Sequence, residues 1–290
     1  MPTVVVTGAS SGFGRSITLT FHDAGYDVIA TMRDPSRGAH LPCAVAKMDV
    51  TDQDSVDRLF TEFGDVDILV NNAGVGAPSS CEELPIADVE RVMATNYLGA
   101  VRCAKAVLPN LRQRGHGWIV NITSMVGRSP KPLEAAYAAS KCALEAWSEC
   151  LAGELREFGV NVAIIEPGVI KTPLMEKNYH TPTAPYDRQW QRFMTAVLAQ
   201  LQLGTTPDAV GSLVLEAVTT GQPKLRWTVG SDAARVVERR PQLSDESLLD
   251  LCAIESDDAY WKEFARLWGP DLIHPEDAQS LWEEYSCSER

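Results

Sequence analysis

The chain reads as an α/β protein: a doubly wound, mainly parallel sheet with helices on both faces and extra helices at the C-terminal end. Two observations point there. Short runs rich in Val and Ile do not alternate with polar residues, as in strands buried on both faces. These runs take turns with amphipathic segments of helix length, the pattern of repeated β-α units.

The first strand is expected at 3–7 and passes into a helix at 13–24 through "TGASSGFG". Gly8, Gly12 and Gly14 sit where a backbone must turn tightly and let a phosphate approach, and Ser10, Ser11 and Phe13 complete the turn. The N-terminus of the following helix then offers free N–H groups and partial positive charge to an anion. Further strands are expected at 27–31, 44–48, 67–70, 117–122 and 160–165, with helices at 52–63, 87–113 and 135–158 between them. After Pro167 the pattern loosens. "NYHTPTAPYDRQW" reads as a loop, followed by helices near 187–202 and 207–220 and a last strand near 225–229. Beyond Pro241, "SDESLLDLCAI", "DDAYWKEFARLW" and "HPEDAQSLWEEY" each read as a short capped helix. The expected organisation is one domain over 1–240 and an acidic helical extension over 241–290 packed on it.

Composition narrows the function. The net charge of −13 argues against nucleic acid, and residues 241–290 alone hold thirteen acidic and three basic side chains. No apolar run approaches the roughly eighteen residues of a membrane span. "MPTVVVTGAS" does not read as a secretion signal. Seven cysteines, odd in number and without C-x-x-C, suggest reduced thiols and a cytoplasmic protein. The five histidines show no zinc-ligand spacing, so no metal is expected.

The second strand ends "YDVIATMRDP". A site for an unphosphorylated ribose places an acid at that end. Here Arg33 stands there, and a guanidinium suits a 2′-phosphate. NADP(H) is therefore favoured over NAD(H), with Asp34 one step on as an alternative partner for Arg33.

In this order the motifs resemble the short, single-domain branch of the short-chain dehydrogenase/reductase family. The resemblance runs from about residue 3 to 175. It covers "TGASSGFG", Asp49-Val50, "NNAG" (71–74), "TNYLGA" with Asn96, Ser124 in "VNITSMVG", Tyr137 and Lys141 in Y-x-x-x-K, and "EPGVIKT" (166–172). It implies a Rossmann-like NAD(P)-binding fold and a carbonyl–alcohol oxidoreductase. By resemblance, Tyr137 is the acid/base, Ser124 polarises the carbonyl, and Lys141 and Asn96 support a proton relay. Asp49 and Val50 meet the adenine. Asn72, Ala73, Gly74, Pro167, Gly168, Ile170 and Thr172 line the rest of the cofactor site. A homo-oligomer, dimer or tetramer, is also implied.

The chemistry fits these residue types. An ordinary tyrosine titrates near pH 10, and a cation close by favours the phenolate. Lys141 follows Tyr137 by one helical turn, a rise of roughly 6 Å, on the same face. Lys141 is thus expected to lower the Tyr137 pKa. Thr123 competes with Ser124 for the hydroxyl role, although its side chain should point the other way. The segment 173–203 is read as a substrate lid. Its Tyr179, Tyr186, Trp190, Phe193 and Met194 suit a medium-sized hydrophobic ketone or aldehyde. An imine reductase or cofactor-recycling epimerase would use the same residues, and a non-catalytic dinucleotide sensor would need only the cleft.

Overall fold

The computed structural model describes residues 1–172, 182–221, 224–274 and 276–288. β1 (Thr3–Thr7), α1 (Gly12–Asp23), β2 (Asp27–Met32), β3 (Ala44–Lys47), α2 (Gln53–Glu62) and β4 (Ile68–Asn71) form the first half. α3 (Ile86–Met93), α4 (Gly99–Arg114), β5 (Gly117–Ile122), α5 (Ala135–Leu155), β6 (Val160–Pro167), α6 (Asp187–Leu201), α7 (Pro207–Thr219) and β7 (Arg226–Val229) follow. α8 (Ser231–Arg239), α9 (Asp245–Ala253), α10 (Asp257–Trp268) and α11 (Ala278–Ser288) close the chain.

The strands make one parallel sheet in the order β3-β2-β1-β4-β5-β6-β7. The unbroken Val4-Val5-Val6 run has its reason in the register. All three are fully buried, yet successive side chains point to opposite faces. Val4 and Val6 join Ile17, Phe21, Val210 and Val214 of α1 and α7 on one side. Val5 joins Val56, Leu59, Val107, Leu111 and Leu151 of α2, α4 and α5 on the other. Gly211 lets α7 come close to α1, because a Cβ there would meet Thr20 Oγ1 at 2.5 Å. The strand order reverses between β1 and β4, and the crevice at the carboxyl ends of such strands is where open α/β sheets bind ligands.

One expected helix is two. The 87–113 segment breaks into α3 and α4 at a π turn, Ala94–Leu98. Such a turn takes one extra residue into the helical ladder and marks functional sites often. It carries Asn96. α8 is a further helix beyond those expected from the sequence, and it directly follows the last strand.

The extension is apolar where it meets the body. Trp261, Phe264, Leu267 and Trp268 of α10 pack with Ala233 and Val236 of α8, Leu251 of α9, and Met125 and Val126 just after β5. Caps behave as the sequence suggests. Ser244 accepts from the Ser247 amide and Ser256 from the Ala259 amide, which satisfies first-turn donors of α9 and α10. Arg192 of α6 is buried; its guanidinium lies 4.0 Å from the Tyr260 ring centre and its Nε donates to Asp257 at 2.8 Å. Among the described residues no helix is long and apolar enough to cross a membrane, and no cluster of three or more His, Cys, Asp or Glu is placed to hold a metal.

Candidate active site

Two cavities meet at the carboxyl end of the sheet. The larger, about 520 Å³, runs along the glycine turn. Gly8 and Gly12 have φ of +69° and +56°, which side-chain-bearing residues rarely adopt. Gly8 and Gly14 also pack against the end of β4. A Cβ on Gly8 would lie 2.8 Å from Ala73 Cα, and one on Gly14 would lie 2.5 Å from Asn72 Nδ2. Thr7 Oγ1 accepts from the Asn72 and Ala73 amides, and Asn72 Nδ2 donates to the Thr7 and Gly8 carbonyls. Asn72 therefore braces the turn with its side chain and, with Ala73 and Gly74, lines the cleft.

The residues present fit a dinucleotide. Ser11 makes no side-chain capping bond at the start of α1, and the first turn carries no acid. The electropositive helix end is left for an anion. Gly8, Ser10, Ser11, Gly12, Phe13, Arg33, Asp49, Val50, Tyr137, Lys141 and Thr172 all line this cleft. Asp34 is not the partner of Arg33: its carboxylate accepts from the Ser36 amide and hydroxyl and caps a 3-10 turn, Pro35–Gly38. That turn brings Arg37 to the cleft as a second guanidinium.

The smaller cavity, about 130 Å³, adjoins it and is mainly apolar, with Phe13, Pro78, Met125, Val126, Phe193 and Val197 among its walls. Pro167, Gly168, Ile170 and Thr172 line it too, so the "EPGVIKT" loop borders both spaces through Thr172. Tyr137 also borders both. Ser124 follows β5 and faces the smaller cavity. Its hydroxyl accepts from the Val126 amide at 3.3 Å. Thr123 also lines both cavities, but its hydroxyl is engaged, donating to the Ile165 carbonyl at 2.9 Å.

Lys141 is buried, donates to the Ile122 carbonyl at 2.8 Å and lies 5.6 Å from the Tyr137 ring centre. Burial pushes the ammonium down to about 8, with Glu145 opposing. The expectation that Lys141 lowers the Tyr137 pKa is not met. Burial pushes the phenol up, Glu134 adds to the rise, and the Ser124 hydroxyl acts the other way. Desolvation disfavours a phenolate more than the distant, itself desolvated ammonium favours it. Asn96 is buried in the π turn. Its Oδ1 accepts from the Val75 amide, and its Nδ2 donates to the Val75 carbonyl and to Ser140 Oγ. A side chain at Gly74 would lie 3.5 Å from Asn96 Oδ1 and 3.8 Å from Lys141 Nζ, so both residues close around the Gly74 backbone.

Comparison with known proteins agrees with this fold. The model of the family described as short chain dehydrogenase matches residues 2–183. The chain belongs to that family. Family members bind nicotinamide dinucleotides, and this short-chain dehydrogenase is an oxidoreductase. Retinol dehydrogenase 8 from Bos taurus is 34% identical over 250 residues, spanning 77% of this chain and 80% of its own. A 3-ketodihydrosphingosine reductase from Bacteroides thetaiotaomicron is 32% identical over 235 residues, spanning 78% and 87%. A solved short-chain dehydrogenase structure from Streptomyces avermitilis superposes with a TM-score of 0.75 at 31% identity, spanning 92% of this chain and 99% of the other. That share is more than residues 1–240 alone could supply, so the likeness reaches into the extension.

Several site residues of this short-chain dehydrogenase escape sequence reasoning. Asp232, near the start of α8, accepts from the Val169 amide at 2.6 Å, and its carboxylate occupies the space over Gly168. It fixes the "EPGVIKT" loop from a position more than sixty residues away, which no spacing rule reveals. Lys131, Glu134 and Gln200 line the smaller cavity. Of the proposed lid, residues 173–181, including Tyr179, lie outside the described residues. Phe193 faces the cavity, but Trp190 and Met194 pack with Leu133 and Trp282, and Tyr186 donates to Glu82.

Proposed function

We propose that the chain is an NADP(H)-dependent carbonyl reductase acting on a medium-sized, fairly hydrophobic ketone or aldehyde. The observation that carries this reading is Tyr137 at the junction of the two spaces. It touches the long cleft suited to a dinucleotide and the apolar cavity that Ser124 also faces. Bound in the cleft, the cofactor supplies hydride. The side chains supply the rest. Ser124 Oγ makes only a long bond of 3.5 Å to the Pro167 carbonyl and would exchange it for a carbonyl oxygen in the smaller cavity. Tyr137 is held as the neutral phenol, the form that donates a proton to an alkoxide. Lys141, whose ammonium loses its proton near pH 8, is able to exchange protons close to neutrality and to stabilise a phenolate once formed. Asn96 holds the chain beside Lys141 through Val75 and Ser140.

Arg33 and Arg37 support a 2′-phosphate, since both guanidinium groups line the cleft just after β2, where Asp34 is occupied by the Ser36 amide and hydroxyl. The apolar walls support the hydrophobic substrate. Relatives named as a dehydrogenase of retinol and a reductase of a keto compound support alcohol–carbonyl chemistry. The implied homo-oligomer is part of the proposal, and light scattering of the purified protein tests it.

The direct test is NADPH consumption with a broad carbonyl panel. Tyr137→Phe should lower turnover by about 10²- to 10⁴-fold, the usual worth of a positioned proton donor. Tight NADPH binding without turnover of any carbonyl, or an unaltered Phe variant, refutes the reading.

A further inference from the structure

α6 turns one face to the smaller cavity, formed by Phe193, Ala196, Val197 and Gln200. This is helical spacing, and three of the four are apolar. Gln200 breaks the pattern. It is only 2% exposed, and its Oε1 has no hydrogen-bond partner. A buried amide oxygen without a donor destabilises a fold, and such groups in native structures are rare. An apolar residue of like size would fill the same helix position without that cost.

We propose that Gln200 selects substrates that carry a neutral hydrogen-bond donor, a hydroxyl or an amide N–H, beyond the reacting carbonyl. Gln200 Oε1 is closed off from the cavity space in the structure, so the donor would meet it as the side chain turns inward, while the apolar part of the molecule lies along Phe193, Ala196 and Val197. Ionised carboxylates offer no donor and leave the amide oxygen unpaired. Two further lining groups agree with a neutral partner. Burial lowers the pKa of Lys131 and raises that of Glu134, both half-buried in the wall, and their charges already offset each other, so neither calls for a charged substrate group. A site that bonds a substrate hydroxyl discriminates strongly against the analogue lacking it, because its own polar group is then stranded.

The inference rests on the carbonyl-reductase reading, and one experiment separates the two. Wild type and Gln200→Met are compared with NADPH on α-hydroxy-, meta-hydroxy- and para-hydroxyacetophenone. Each is set against the ketone in which a methyl replaces the hydroxyl. For at least one pair, the wild-type preference for the hydroxyl compound in kcat/KM should exceed that of the variant by about tenfold or more. Equal preferences in both proteins for every pair overturn the inference and leave the reductase reading standing. No turnover of any ketone by wild type overturns both. Thermal melting gives a second readout without substrate: Gln200→Met should melt at or above wild type. A fall of more than about 3 °C would assign Gln200 to the fold and overturn its role in selection.

Discussion

Replacing Lys141 by Met should reveal a stability penalty that the protein carries at neutral pH. The ammonium is 4% exposed, and burial brings its pKa from 10.5 to about 8. The unfolded chain then holds this proton more tightly than the folded one. The penalty is therefore fully present below about pH 8 and fades as pH rises through the window up to 10.5. A fall of that size corresponds to ~3 kcal/mol near pH 7, and roughly 1 kcal/mol or less remains near pH 10. Lys141→Met removes the penalty but strands the Ile122 carbonyl, at a cost of about 1–3 kcal/mol. The variant should thus be about 0–2 kcal/mol more stable than wild type near pH 7, and by about the same amount less stable near pH 10. Urea unfolding of both proteins at the two pH values measures this. The quantity to read is the change in the difference, ~2 kcal/mol, since other titrations are common to both proteins. A difference that does not move with pH would mean that Lys141 is not desolvated in the native state, and the reasoning fails. Activity should fall at both pH values, so the variant trades function for stability.

Cofactor choice is tested by Arg33→Ala and by Arg33→Ala/Arg37→Ala. Loss of charge-assisted contacts of about 1.5–3 kcal/mol should raise KM for NADPH by roughly 10- to 100-fold and leave KM for NADH little changed; equal rises for both remove the case for a phosphate contact. Asp232→Ala should raise KM for NADPH and lower Tm by a few degrees, because the Val169 amide loses its acceptor; an unmoved KM would show that the carboxylate serves folding alone. Gly14→Ala should prevent folding or cofactor binding, since its Cβ would lie 2.4 Å from the Gly8 carbonyl oxygen. Truncation after Arg240 removes Trp261, Phe264, Leu267 and Trp268, each worth about 1.5–3 kcal/mol of burial, and should yield insoluble protein; a soluble, active product would contradict the packing described.

The parallel sheet was legible because its strands are buried on both faces, and local periodicity reports that directly. The glycine turn was legible for a similar reason: strand, turn and helix are contiguous. The π turn was not. One additional residue in a helical ladder leaves the apolar pattern of 87–113 nearly intact, so Asn96 looked like part of one helix. Environment was harder still. The spacing of Tyr137 and Lys141 announced a contact, but the sign of the Tyr137 shift depends on burial by surrounding elements. Asp232, Arg37 and Gln200 reach the site through α8, a 3-10 turn and α6 respectively, and long-range placement of that kind leaves no mark on neighbouring residues.

Met125 and Val126, the two residues that follow Ser124, belong to the same buried cluster as α10, and Tyr137 packs against it. The acidic extension and the chain on either side of the candidate site therefore share one core. Any fluctuation that lifts α10 also loosens the chain on either side of the Ser124 hydroxyl. Amide hydrogen exchange at the end of β5 and the start of α5 should then follow the opening free energy of α10, not that of the central strands. The working end of this protein is only as rigid as its C-terminal helices allow.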